Sequence, residues 1–133
     1  MNVYFADTFY FVALLSPRDQ AHQQVLDFSK EMRGSLLTTQ WVLTEVLDGF
    51  ANTPDRTKAA AFLAMAEAQP NVVVIEASDD WFRRGMQRYE ARPDKEWSLT
   101  DCISFAVMEE YALEQALTAD RHFEQAGFKA LLK

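Results

Sequence analysis

Val72-Val73-Val74-Ile75 is an unbroken apolar run between the break Gln69-Pro70-Asn71 and the carboxylate Glu76. Its length and β-branched composition suit a strand. Continuous hydrophobicity, in place of a polar–apolar alternation, predicts a strand covered on both faces, as strands of parallel sheets are. Helical patterns flank it. Asp55 opens an alanine-rich helix to Ala68, with Ala60, Leu63 and Ala64 on one face, and Ser78 or Asp79 caps a helix running to about Tyr89. A buried strand held between two helices is the building unit of an α/β fold.

The same alternation runs through the chain. Asn2 to Ala6 reads as a strand, followed by a helix from Thr8 to Leu15 that Ser16-Pro17 ends. Asp19 is a candidate N-cap for a helix through Ser29, with Ala21, Val25 and Phe28 on one face and Gly34 closing the unit. Leu36-Leu37-Thr38 is a second strand, and Thr39 or Gln40 opens a helix through Phe50. Beyond the polar loop 91–97, Ser98 begins a helix to about Tyr111. Gln115 to Ala119 is a strand, Arg121 to Ala126 a short helix closed by Gly127, and Phe128 to Leu132 a last strand. The pattern predicts a three-layer α/β/α sandwich around a central parallel sheet. At 133 residues the whole chain, 1–133, is expected to form one domain. No apolar run reaches the ~18 residues of a membrane span, and the N-terminus lacks the basic and long apolar regions of a secretion signal. The lone Cys102 permits no internal disulfide and reads as a small buried hydrophobe. These features lead to the expectation of a cytoplasmic protein with no membrane partner.

Two strands end on carboxylates: Val3-Tyr4-Phe5-Ala6 on Asp7, and Ala116-Leu117-Thr118-Ala119 on Asp120. With right-handed crossovers every strand runs the same way, and both acids fall on the C-terminal edge of the sheet, where such sheets bind ligands. Glu45 lies about one and a half turns into the helix after Leu36-Leu37-Thr38, and Asp101 in the first turn of the helix opened by Ser98. Four acids from four segments can therefore meet on one rim. Each also has a plain structural reading: Asp7 and Asp120 as N-caps, Ser98 and Asp101 as a capping box, Glu45 as a surface carboxylate. Like charges 4 Å apart cost about 1 kcal/mol in water and about 4 kcal/mol at an effective dielectric near 20. A cluster of four would shift its pKa values or take up a cation. Hard carboxylate oxygens favour Mg2+ or Mn2+ over zinc. Such an ion can activate water and clamp phosphate oxygens, the chemistry of phosphodiester hydrolysis. Of the two histidines, His22 lies in a polar stretch and reads as surface. His122 follows Asp120 closely enough to reach the site.

Four pieces carry a resemblance: Ala6-Asp7-Thr8, Leu43-Thr44-Glu45-Val46-Leu47, Ser98-Leu99-Thr100-Asp101-Cys102, and Leu117-Thr118-Ala119-Asp120-Arg121-His122-Phe123. In their order and spacing the sequence resembles a PIN-domain ribonuclease of the VapC toxin type, over essentially its whole length. The resemblance implies a metal-dependent endoribonuclease with Asp7, Glu45, Asp101 and Asp120 as the acidic quartet. It also implies a homodimer and, commonly, an antitoxin protein that blocks the site. Thr8 and Thr118 suit roles in orienting a carboxylate or water, or are ordinary cap and strand residues; Thr100 has the same two readings.

The net charge of −7 argues against non-specific binding of nucleic acid over the whole surface. Five basic residues nevertheless cluster at Arg83, Arg84, Arg88, Arg92 and Lys95, either as a phosphate-binding stripe for an RNA substrate or as a solvated face offset by Glu90, Asp94 and Glu96. Trp97 either stacks on a base or anchors the following helix. Phe9, Phe11, Leu14, Leu15, Trp41 and Phe50 belong to the core or to a dimer or antitoxin surface. Competing readings are a PIN-like module that holds RNA or protein without cutting, a housekeeping nuclease without antitoxin, and another acidic-site α/β enzyme. The last is disfavoured. Asp7-Thr8-Phe9 lacks the second aspartate of haloacid dehalogenase-like phosphatases, and Val72 to Ile75 ends on Glu76-Ala77 rather than on a receiver's acceptor aspartate.

Overall fold

A computed structural model describes residues 2–133. Five strands form one sheet: β1 (Asn2–Ala6), β2 (Gly34–Thr39), β3 (Val72–Ile75), β4 (Gln115–Leu117) and β5 (Lys129–Ala130). All neighbours pair in parallel, in the order β3-β2-β1-β4-β5. The helices between them are α1 (Thr8–Leu15), α2 (His22–Glu31), α3 (Gln40–Phe50), α4 (Arg56–Glu67), α5 (Asp79–Ala91), α6 (Leu99–Glu110) and α7 (Arg121–Gln125). From β1 the chain steps outward to β2 and β3, then crosses back to β4 and β5. Right-handed connections therefore place α1 to α4 on one face of the sheet and α5 to α7 on the other. The expected three-layer sandwich is what forms.

Local chemistry sets most boundaries. Ser16, extended ahead of Pro17, ends α1. The Thr39 hydroxyl accepts from the Val42 amide to start α3, and the Ser78 hydroxyl accepts from the Trp81 amide to start α5. Two expected caps differ. Asp19 does not cap α2; its Oδ1 takes the Ala21 amide in an Asx turn, and the helix begins three residues later at His22. Gly34 does not close a helix but opens β2 with φ +144°, opposite Asn2. A Cβ there would sit 2.2 Å from the Asn2 carbonyl oxygen, so close backbone approach demands glycine.

The run Val72–Ile75 is the edge strand β3, and Val73 is 49% exposed, so it is not covered on both faces. The return crossover through α5 and α6 heads toward β4 and leaves that edge open. The strands β4 and β5 are also shorter than expected. After Leu117 the Thr118 hydroxyl accepts the Asp120 amide, which turns the chain out of the sheet. The core includes Phe5, Phe105 and Phe123, all fully buried, with the Phe105 and Phe123 rings edge-to-face at 5.0 Å. Phe5 lies two residues before Asp7 and Phe123 three after Asp120, so tight packing fixes the backbone that presents both acids.

Candidate acidic site at the sheet's switch point

The connection order reverses between β1 and its neighbours β2 and β4, and the crevice outside the carboxyl ends of the strands lies there. Asp7 leaves the end of β1, and Asp120 follows β4 beside it. Asp101 comes in on the first turn of α6 and Glu45 on the second turn of α3. All four line a cleft of about 430 Å³, together with Thr8, Phe9 and Ala119. The expected meeting of four acids on one rim is realised.

The cap readings separate. Asp7 occupies the N-cap position of α1 but makes no capping hydrogen bond. It is only 6% exposed, and its Oδ2 accepts instead from the Thr118 hydroxyl at 2.8 Å. Asp120 does cap α7, its Oδ1 accepting from the His122 amide at 2.9 Å. Asp101 completes a capping box with Ser98: the Asp101 amide donates to the Ser98 hydroxyl at 3.0 Å, and Asp101 Oδ2 accepts from the Ser98 amide at 3.2 Å. Capping engages Asp101 Oδ2 and Asp120 Oδ1, each of which keeps a further lone pair, and leaves the second oxygen of each carboxylate outside the caps. Glu45 is exposed, and the Thr8 hydroxyl donates to its Oε1 at 2.5 Å.

Threonines set the directions of the acids. The Thr118 hydroxyl donates to Asp7 and accepts from the Asp120 amide, so one side chain ties two acids together. The buried Thr38 hydroxyl donates to the Ala6 carbonyl at 2.8 Å and steadies the end of β1. Thr38 was not legible as a site-supporting residue; its place at the end of a strand was the only signal. Thr100 makes no side-chain hydrogen bond among the described residues.

Electrostatics follow from this geometry. Burial pushes the Asp7 carboxyl up from its ordinary 3.8 to about 7, opposed by the Thr118 hydroxyl and reinforced by the charges of Asp101 and Asp120. Asp101 is also raised, chiefly by burial. A divalent cation beside these oxygens would offset both the desolvation and the mutual repulsion. The donor set therefore fits a hard ion such as Mg2+ or Mn2+.

Of the two histidines, His22 differs from expectation and His122 does not. His22 is half-buried, and its Nδ1 meets the Ala13 carbonyl at 2.7 Å, so it joins the start of α2 to α1. His122 does reach the site: its Nδ1 lies 3.1 Å from Asp101 Oδ2 and 3.5 Å from Asp120 Oδ1. The basic cluster is largely neutralised. Arg83 pairs with Asp79, Arg84 with Asp80 and Glu110, Arg88 with Glu109, and Arg92 with both oxygens of Asp94. Trp97 is an anchor: it is buried, packs edge-on against Phe105 at 5.1 Å and donates from Nε1 to Gln125. Phe11, Leu15 and Phe50 are core, whereas Phe9, Leu14 and Trp41 are half-buried. Cys102 is fully buried, and burial raises its thiol to about 11, so it is a neutral core residue at ordinary pH.

A parallel α/β/α sheet carrying four carboxylates at its switch point defines an acid-lined α/β domain. The chain belongs to the PIN domain family, whose profile matches residues 4–129. No curated protein matches it in sequence. Solved structures share its fold. VapC20 of Mycobacterium tuberculosis, described as a sarcin-ricin loop cleaving toxin, superposes with a TM-score of 0.89 at 23% identity, over 99% of this chain and 100% of that one. A toxin–antitoxin complex from Klebsiella pneumoniae gives 0.62 at 18% identity, over 89% and 87%. VapBC2 from Rickettsia felis, bound to a DNA fragment from its promoter, gives 0.65 at 11% identity, over 96% of each chain.

Proposed function

We propose that this protein is a metal-dependent endoribonuclease of the VapC toxin type, hydrolysing RNA phosphodiester bonds, with Asp7, Glu45, Asp101 and Asp120 as its catalytic, metal-holding acids. The observation that carries this reading is the meeting of those acids, from four separate segments, in one cleft of a PIN-family sheet. Mg2+ or Mn2+ is the cofactor that the oxygen donors favour. When bound, such an ion supplies Lewis-acid chemistry, drawing charge from a phosphate and acidifying water at the reacting centre. The chain itself supplies direction. Thr118 fixes Asp7 and the turn that carries Asp120, the Ser98 capping box fixes Asp101, and Thr8 holds Glu45 at the open side where an RNA strand would enter.

The reading extends to partners. Two of the similar structures are toxin–antitoxin assemblies, which supports a cognate antitoxin here. An apolar groove of about 590 Å³ between α1, α2 and α4, with Leu14, Leu26, Phe62 and Met65 on its walls, offers a seat for the apolar segment of such a partner. The toxin reading also carries a homodimer and action in the cytoplasm, where RNA substrate and antitoxin would both be met. The test is incubation of purified protein with transfer, messenger and ribosomal RNA, the last including the sarcin-ricin loop. Discrete cleavage with Mg2+ or Mn2+ that a chelator stops is expected. Intact RNA of every class under all three conditions would sink the nuclease reading.

A further inference from the structure

We propose that His122 is a nitrogen ligand of the metal centre and that it tilts the site from Mg2+ towards Mn2+. The inference rests on the metal-dependent reading above and deepens it by naming the ion the centre prefers.

His122 is the second residue of α7, whose N-cap is Asp120. The turn that presents Asp120 to the cleft therefore carries the imidazole with it. One ligand atom from each of Asp101, Asp120 and His122 can be chosen so that all lie within 4.8 Å of one another. Nδ1 is 3.1 Å from Asp101 Oδ2 and 3.5 Å from Asp120 Oδ1. Ligands held about 2.1 Å from one ion stand about 3 Å apart across a right angle and about 3.4 Å apart at the tetrahedral angle. The two separations are those of neighbours in a single coordination sphere. Asp101 and His122 are also sheltered, 14% and 20% exposed, while Asp120, 37% exposed, faces the open side of the cleft.

The chemistry follows from the donor types. A site made only of carboxylates offers hard oxygens, which Mg2+ accepts along with retained waters. An imidazole nitrogen is a softer donor that suits transition-metal ions, and affinity for such ions rises from Mn2+ along the first row. Adding one nitrogen to the oxygens of Asp101 and Asp120 therefore strengthens Mn2+ binding and does little for Mg2+. The competing role for His122 is a hydrogen bond that orients Asp101 without touching an ion. That role affects both cations alike.

The test titrates the whole purified chain with Mn2+ alone and with Mg2+ alone, by calorimetry, for the wild type and His122→Phe. Phenylalanine keeps the ring and removes the nitrogen. The variant is expected to lose about tenfold or more in Mn2+ affinity and less than about threefold in Mg2+ affinity. No loss, or equal loss for both ions, overturns the inference. Pulsed electron paramagnetic resonance of Mn2+ bound to the wild type decides the point without any variant. Nitrogen hyperfine coupling to the bound ion is expected. Bound Mn2+ with no nitrogen coupling overturns the role of His122 and leaves the metal centre standing. Failure of the wild type to bind Mn2+ at all overturns both.

Discussion

Asp7→Asn should make the metal-free protein more stable above neutral pH while removing its function. The Asp7 carboxyl is raised from 3.8 to about 7 by burial, aided by Asp101 and Asp120. Between those values the folded state holds a proton that the unfolded state has released. Stability from this group therefore falls as pH rises from about 4 to about 7, then levels off. A shift of that size corresponds to about 4 kcal/mol, since each unit is worth about 1.4 kcal/mol. Asparagine keeps the shape, carries no charge to desolvate, and offers Thr118 an oxygen to donate to. Urea unfolding can be followed by tryptophan fluorescence, with chelator present, from pH 4 to pH 8. The two proteins should match near pH 4, and the variant should gain up to about 4 kcal/mol by pH 8. Adding Mn2+ at pH 8 should stabilise the wild type more than the variant. A variant less stable than wild type at pH 8, or one with the same pH slope, would mean that burial does not raise the Asp7 carboxyl in this way.

Thr118→Val removes the donor to Asp7 and leaves the Asp120 amide without its acceptor; urea unfolding should show a loss of about 1–3 kcal/mol. Metal titration of the same variant should show affinity reduced by about 10- to 100-fold. Gly85→Ala places a methyl 2.3 Å from the Ile103 Cγ1 where α5 packs on α6, and denaturant melts should record a cost of about 1–3 kcal/mol. Cys102, buried and raised to about 11, should resist alkylation by iodoacetamide in the native protein at neutral pH and react once urea unfolds it, as read by mass spectrometry.

Much of the fold was legible because its signals are local. Pro17 ends α1, Ser98 and Asp101 form their box, and the strand that leads into Asp7 is written in consecutive residues. The same locality exposed Asp7 and Asp120, since a parallel sheet sends every strand end to one edge, and Glu45 and Asp101 lie early in helices that start from that edge. What the sequence hid depends on contacts between distant segments. Gly34 is glycine because of the Asn2 carbonyl on a neighbouring strand. Val73 is exposed because β3 lies at the edge, which strand order decides and hydrophobicity does not. The arginines of α5 look like a free cationic stripe until α6 crosses beside them and supplies Glu109 and Glu110. The bond from Thr118 to Asp7 spans the length of the chain, so no spacing rule points to it.

The proposed role of this acidic cluster is to cut RNA. The most direct measurement compares wild type with Asp101→Asn in an RNA cleavage assay with Mn2+, with binding of the same RNA measured in parallel. Asparagine at 101 keeps the size and most of the capping ability at the start of α6 but removes the charge. If the cluster cuts RNA, wild type cleaves, the variant does not, and both bind RNA and fold equally. Cleavage by Asp101→Asn at the wild-type rate, or binding without cleavage by both proteins, would contradict that role.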